Sequence, residues 1–156
     1  MPTITPFLWF DNNAEEAIDF YSSIFKETAT ISVSRHGGGG PAPKGTLISA
    51  TFELQGQTFM ALNGGPHFSF TPAISLFVKC DTQEEIDDLW EKLSAGGEPG
   101  RCGWLKDKFG LSWQIVPSIL NELLQDKDAR KAQQAMEAML RMDKLDIQAL
   151  KQAHAN

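Results

Sequence analysis

Three histidines, two cysteines and two pairs of adjacent glutamates could supply donor or nucleophilic chemistry, and their spacing argues against a reactive centre built from them. His36 sits in a glycine-rich segment, His67 follows Gly64-Gly65-Pro66, and His154 lies two residues before Asn156. No pair has the i, i+4 spacing that sets two imidazoles on one helix face, so all three read as surface histidines. Cys80 and Cys102 are too few for a disulfide framework and match no zinc spacing. They read as free thiols, with no histidine nearby in sequence to activate them, and no serine or cysteine stands in a nucleophile elbow. Glu15-Glu16 and Glu84-Glu85 each open a helical pattern, where negative charge favours the positive end of the helix dipole. Capping accounts for them. In Arg35–Gly45 (RHGGGGPAPKG), consecutive glycine amides could bind an anion, but the segment lacks a Gly-Lys-Ser/Thr ending and opens no helix. It reads as a flexible loop or lid.

The elements that must carry these residues form a repeat. Thr3 to Phe10 is an apolar, β-branched and aromatic run that reads as a strand. Asn13 then precedes Glu16 at capping-box spacing, and Ala17, Phe20, Tyr21 and Ile24 share one helical face. The order returns with a strand at Ile74 to Cys80, the cap pair Thr82 and Glu85, and the face Ile86, Leu89, Trp90 and Leu93. A shift of 82 − 13 = 69 residues superposes cap, acid and apolar positions. Gly96-Gly97 ends the second helix, as glycine commonly does. Further strands fall at about 28–34, 46–54 and 58–62, then at about 102–107 and 111–116, with a short one near Glu98. Gln55-Gly56 and Phe109-Gly110 are hairpin turns, and aligning their glycines makes Met60 and Gln114 equivalent (60 − 56 = 114 − 110). Both halves share a βαβββ order. After Pro117, segments 118–125, 128–142 and 146–155 read as helices whose apolar stripes must pack on their own domain or on a partner subunit.

With 156 residues, 42% hydrophobic and 22% charged, the chain suits one globular domain, or a domain plus an arm. Fourteen basic against twenty acidic residues give 14 − 20 = −6, the wrong sign for neutralising phosphates, so no nucleic-acid partner is expected. MPTITPFLWFDNN has no basic n-region, and no apolar run is long enough to span a bilayer. A cytoplasmic location and no membrane partner follow as expectations.

Three stretches set in this twice-repeated order carry a family resemblance: FLWFDNNAEEAIDFYSSIF at Phe7 to Phe25, CGWLKDKFGLSWQIVP at Cys102 to Pro117, and AMEAMLRMDKLDIQAL at Ala135 to Leu150. They resemble the PhnB-like branch of the vicinal oxygen chelate superfamily, which includes glyoxalase I, extradiol dioxygenases, and bleomycin and fosfomycin resistance proteins. That branch carries a demethylubiquinone methyltransferase label. The resemblance implies an α+β fold in which paired βαβββ modules, about 1–70 and 71–117, form one domain (1–117) with a cup-shaped mixed sheet. A C-terminal helical tail at 118–156 and a homodimer complete the expectation.

In metal-using relatives, four ligands, typically His and Glu, line the cup on the first and last strands of each module. Carried over by pattern, those positions here are Thr5, Met60, Ser75 and Gln114. Hydroxyls, a thioether and an amide lack the imidazole or carboxylate donors that repay a divalent ion's dehydration, so neither a tight metal site nor another cofactor is expected. Moving the first position to Ile4 or Pro6 supplies no ligand either. The methyltransferase label also lacks its usual signature, because neither Gly37–Gly40 nor Gly64-Gly65 is placed between a first strand and a helix.

What remains is a cup whose candidate ligand contacts are Thr5, Trp9, Met60, Asn63, Ser75, Phe77, Trp104 and Gln114. Strand alternation groups them by face, and an apolar pocket with a few convergent polar groups is the usual small-molecule site. The same aromatics could instead fill the module interface. The expected function is binding of a small, partly aromatic organic molecule without a tight metal, with catalysis left open. Two alternatives stand beside it: a metal-dependent lyase, isomerase or dioxygenase with non-obvious ligands, and a resistance-type protein sequestering a cationic drug.

Overall fold

In the computed structural model, which describes residues 1–156, each half of the chain builds a four-stranded mixed sheet with one strand order. The first unit, Met1–Phe70, contains β1 (Phe7–Phe10), α1 (Ala14–Ile24), β2 (Thr28–Arg35), β3 (Leu47–Leu54) and β4 (Gln57–Asn63), ordered β1-β4-β3-β2. The second, Thr71–Asn156, contains β5 (Ser75–Cys80), α2 (Gln83–Ser94), β6 (Glu98–Pro99), β7 (Trp104–Lys106) and β8 (Ser112–Pro117), ordered β5-β8-β7-β6. Helices α3 (Leu120–Leu124), α4 (Ala129–Leu140) and α5 (Ile147–Ala155) follow. The α+β class and the doubled βαβββ order are those the repeat predicts. No helix is long and apolar enough to cross a membrane.

Each unit is governed by a parallel pairing of its first and last strands, Phe7 opposite Met60 in one and Phe77 opposite Gln114 in the other. Parallel neighbours need a crossover, and the intervening helix supplies part of it while covering one sheet face. In the first unit Leu8, Phe10, Phe52, Phe59 and Ala61 are buried, as are Ala17 and Tyr21 of α1. In the second, Ile86 and Leu93 of α2 are fully buried, together with Leu105, Trp113 and Ile115 of the sheet. Alternation leaves the opposite face of each sheet to the residues between these.

Two local readings are corrected. The run from Thr3 does not pair throughout, because Pro6 has no amide to donate; its carbonyl accepts from Met60 N at 2.9 Å, and β1 starts one residue later. Thr5 therefore lies ahead of the strand. The second hairpin is also longer than a two-residue turn. Asp107 N donates to Leu111 O and Gly110 N to Asp107 O, both near 2.8–2.9 Å, with Gly110 at φ 89, a turn closed by a left-handed residue. The first hairpin does turn on two residues: Gln55 and Gly56 have φ 50 and 79 between paired Leu54 and Gln57. Gln55 sits in this region without glycine's freedom, but its side-chain oxygen accepts from Lys26 N and Glu27 N, each at 3.0 Å.

The helical tail packs on its own unit. Val116, Leu120, Leu145 and Leu150 form a buried cluster with Leu123, Leu124, Ala138, Met139 and Met142 against it. The α4–α5 connection is sewn down by backbone bonds from Cys102 N to Met142 O and Gly103 N to Asp143 O, both 2.8 Å. Gln83, at the start of α2, donates to Leu145 O at 3.0 Å and accepts from Ile147 N at 2.8 Å. Asp128 and Asp146 cap α4 and α5 by accepting from first-turn amides. Leu145→Ala should therefore lower stability by about 3 kcal/mol, the usual cost of a buried leucine cavity. Urea unfolding would measure it; a change below about 0.5 kcal/mol, typical of surface sites, would contradict the tail's anchoring role.

Candidate functional site

On the first sheet, register sets Thr51, Met60 and Phe7 in one row and Ser49, Leu62 and Trp9 in the next, on the face away from α1. Phe7 is 51% exposed, whereas Trp9 is engaged locally. Its indole Nε1 donates to Gly65 O at 3.0 Å, and its ring meets Phe68 edge-on at 5.0 Å. Gly64 approaches so closely that a Cβ there would come within 2.3 Å of the indole. The 64–68 segment thus closes over Trp9, and glycine is required at 64 by that approach.

Asn63 is engaged too. Its Oδ1 accepts from Ala14 N at 2.8 Å and its Nδ2 donates to Leu47 O at 3.1 Å, so it caps α1 from the adjoining strand β4. The expected cap, Asn13, makes no side-chain bond of this kind. The backbone explains the exchange: Asn13 has ψ 24, outside the extended geometry that aims a cap side chain at the first turn, whereas Thr82 has ψ 156 and forms the full capping box with Glu85.

On the second sheet the candidates converge. Phe77, Gln114 and Trp104 occupy one row across β5, β8 and β7, and Ser75, Ser112 and Lys106 the next. Gln114 Nε2 donates to Ser75 Oγ at 3.0 Å, which holds the amide beside the two rings. Lys79 continues the same face of β5 beyond Phe77, and Val116, two residues after Gln114, is buried under the tail. Ser75, Phe77, Trp104 and Gln114 therefore share one surface of one sheet. Thr5 and Met60 belong to the first unit, Thr5 half-buried before its strand and Met60 half-buried beside Phe7.

The remaining reactive groups are occupied or muted. Burial, then the nearby Glu85 and Asp81 carboxylates, pushes the Cys80 thiol up to about 11, so it holds little thiolate at neutral pH. Cys102 is also a free thiol. Glu15 does more than face a helix dipole: hydrogen bonding to Arg35 holds its carboxyl below the ordinary value. Arg35 Nη1 also donates to Gly45 O at 3.1 Å, clipping the glycine-rich loop at its base. His154 is not a bare surface histidine, since its Nε2 lies 2.8 Å from Asp126 Oδ2. The Asp126 carboxyl is held below its usual range by the Asp128 amide and then by His154.

Asp107 is the residue that sequence reasoning missed. It is 2% exposed, and its carboxylate accepts from Phe109 N at 2.8 Å, Leu111 N at 3.1 Å and Trp113 Nε1 at 2.8 Å. The signal was an aspartate just before a Phe-Gly turn, where a side chain commonly bonds the backbone two residues on. It organises the β7–β8 turn and fixes Trp113.

No group of three or more His, Cys, Asp and Glu side chains comes together in a way that could hold a metal ion. Thr5, Met60, Ser75 and Gln114 carry hydroxyls, a thioether and an amide, a donor set poorly matched to a divalent ion.

A crossover helix between parallel first and last strands, repeated twice in the order described, defines the vicinal oxygen chelate class. Protein PA1353 from Pseudomonas aeruginosa shares the fold with a TM-score of 0.62 at 21% identity, over 75% of this chain and 98% of its own. The fosfomycin resistance protein FosX from Listeria monocytogenes, in a structure complexed with Mn(II) and sulfate, does so with a TM-score of 0.57 at 17% identity, over 80% of this chain and 98% of its own. More narrowly, the sequence profile described as 3-demethylubiquinone-9 3-methyltransferase matches residues 2–116. A PhnB protein from Bacillus cereus with that same label is 43% identical over 75% of this chain and 100% of its own, with a TM-score of 0.69. The chain belongs to this PhnB-like family of the vicinal oxygen chelate superfamily. No curated protein matches the sequence.

The cap exchange gives a direct check. Asn63→Ala should cost about 1–2 kcal/mol by stranding the Ala14 amide and the Leu47 carbonyl, while Asn13→Ala should stay within about 0.5 kcal/mol. Equilibrium unfolding of both variants would reveal the order, and the reverse order would return the cap to Asn13.

Proposed function

We propose that this protein binds a small, partly aromatic organic molecule on the open face of its sheet, without a tight metal site, and acts in the cytoplasm as a homodimer. The observation that carries the reading is the row Phe77, Gln114, Trp104, with Gln114 held by Ser75. Two rings supply apolar area at little conformational cost, and an oriented amide between them supplies the polar group that fixes a ligand's orientation. Thr5 and Met60 are further contacts proposed on the first module's own sheet, where Trp9 bonds Gly65 O and Asn63 caps α1, while the 118–156 tail packs against Val116 of the second module.

Metal-assisted lyase, isomerase or dioxygenase chemistry is the competing reading, and the donor set speaks against it. Thr5, Met60, Ser75 and Gln114 offer no imidazole nitrogen or carboxylate. The methyltransferase label fits the chain no better: Gly37–Gly40 runs between strands β2 and β3 and Gly64-Gly65 between β4 and β5, so neither forms the glycine-rich turn from a first strand into a helix that common adenosyl-methionine enzymes use. A cationic drug, the ligand of the sequestering alternative, is poorly served by a face whose β5 and β7 charges are Lys79 and Lys106.

Protein purified without added metal and dialysed against buffer should carry far less than one equivalent of Zn, Ni, Fe or Mn per chain by elemental analysis. One retained equivalent would transfer the argument to the metal-dependent reading. Saturating aromatic ligands should raise the melting temperature through preferential binding to the folded state, and no shift across a broad aromatic set would count against binding.

A further inference from the structure

We infer that the ligand of this face is a planar aromatic anion, its ring laid over Gln114 between Phe77 and Trp104 and its carboxylate or phosphate met by Lys79 and Lys106; this rests on the binding reading above. The argument starts from charge placement. The chain carries a formal charge of −6, yet the open face of the second sheet carries a lysine on each side of the aromatic row. Lys79 follows Phe77 by two residues on β5, and Lys106 follows Trp104 by two residues on β7. Because β7 runs antiparallel to β8 while β5 runs parallel to it, the two lysines leave the row in opposite directions, each about 6–7 Å along its strand. A long amine stem covers that span, so either ammonium can lean back over the row.

Neither Lys79 nor Lys106 takes part in a salt bridge, although Asp81 lies two residues beyond Lys79 in the chain. Salt bridges join Arg35 to Glu15, Lys92 to Asp88, Arg101 to Asp143 and Lys144 to Asp87. The cross-strand neighbour of Lys106 on β6 is Glu98, which offsets part of its charge. Lys79 lies on the edge strand β5, and its register partner on β8 is the apolar Val116. Lys79 is therefore the stronger anion contact and Lys106 the weaker. Phe77 is 58% exposed, so a ring stacked there removes apolar area from water while its charged substituent stays within a lysine's reach. The corresponding face of the first sheet lacks the cations: Phe7 is exposed there, but Trp9 is covered and the charged residue on β3 is Glu53, opposite Thr58.

Three probes with one ring system separate the inference from the reading beneath it: 2-naphthoate, neutral 2-naphthalenemethanol and 2-naphthylmethylammonium. Titrated into the full-length protein and followed by amide chemical shifts and calorimetry, 2-naphthoate should bind about tenfold tighter than the ammonium, two exposed lysines each contributing a few-fold. Lys79→Met, which keeps an apolar stem, should weaken 2-naphthoate about fivefold and Lys106→Met less, with the neutral probe unchanged. Phe77→Ala should weaken all three probes alike. Equal affinity for the three probes, or preference for the ammonium, would overturn the anion inference and leave small-molecule binding intact. If no probe shifts the amides of 75–79 or 112–116, the binding reading itself falls, and the anion inference with it.

Discussion

Parallel pairing between the first and last strand of each module is the constraint from which the rest follows. Two parallel strands cannot be joined by a tight turn, so the chain between them must leave the sheet, and here it leaves as an amphipathic helix followed by antiparallel strands. The helix then has only one face of the sheet to cover. Once α1 and α2 bury Tyr21, Ile86 and Leu93, the residues of opposite parity are left on the other side as a second surface with its own chemistry. Phe7 beside Met60 and Phe77 beside Gln114 are consequences of that register.

The two modules spend this surface differently. In the first, a glycine at 64 lets the connection after β4 descend onto Trp9, and Asn63 is drawn into capping α1. In the second, the equivalent capping work is done locally by Thr82 and Glu85, so no strand-end side chain is diverted to it. The tail occupies the Val116 end and leaves the row of Phe77, Gln114 and Trp104 standing. A frame duplicated in topology thus carries one surface partly closed over Trp9 and one on which the aromatic row stays open.

Much of this architecture was legible in residue order. The 69-residue repeat placed both helices, and the hairpin glycines correctly made Met60 and Gln114 equivalent, each now seen opposite the phenylalanine of its first strand. Period-2 alternation also grouped Ser75 with Phe77, and Ser112 with Gln114. What escaped were interactions joining residues distant in sequence. Asn63 and Ala14 are 49 positions apart, and nothing in the spacing of Asn13 and Glu16 announces that a strand end will take over the cap. The bond from Trp9 to Gly65 O, 56 positions away, is likewise invisible in the spacing. Asp107 was overlooked for a different reason: charged residues are seldom buried, and the convergence of two backbone amides with the Trp113 indole helps to make this one tenable.

Family membership fixes the frame, whereas the chemistry resides in what projects from it. Phe7 and Phe77 hold equivalent positions and are exposed to similar degrees, 51% and 58%, so each surface gains free energy from being covered. Their neighbours determine what can do the covering. Beside Phe7 stand Met60 and Thr51, which an apolar cover could meet without stranding a charge. Beside Phe77 stand Gln114, Lys79 and Lys106, and a purely apolar cover would desolvate an amide and two ammonium groups with nothing to replace the lost water. A cover that places a ring on the aromatics and negative charge toward the lysines removes that penalty. The selectivity of this face therefore follows from the cost of leaving its cations unpaired, more than from the attraction of its rings.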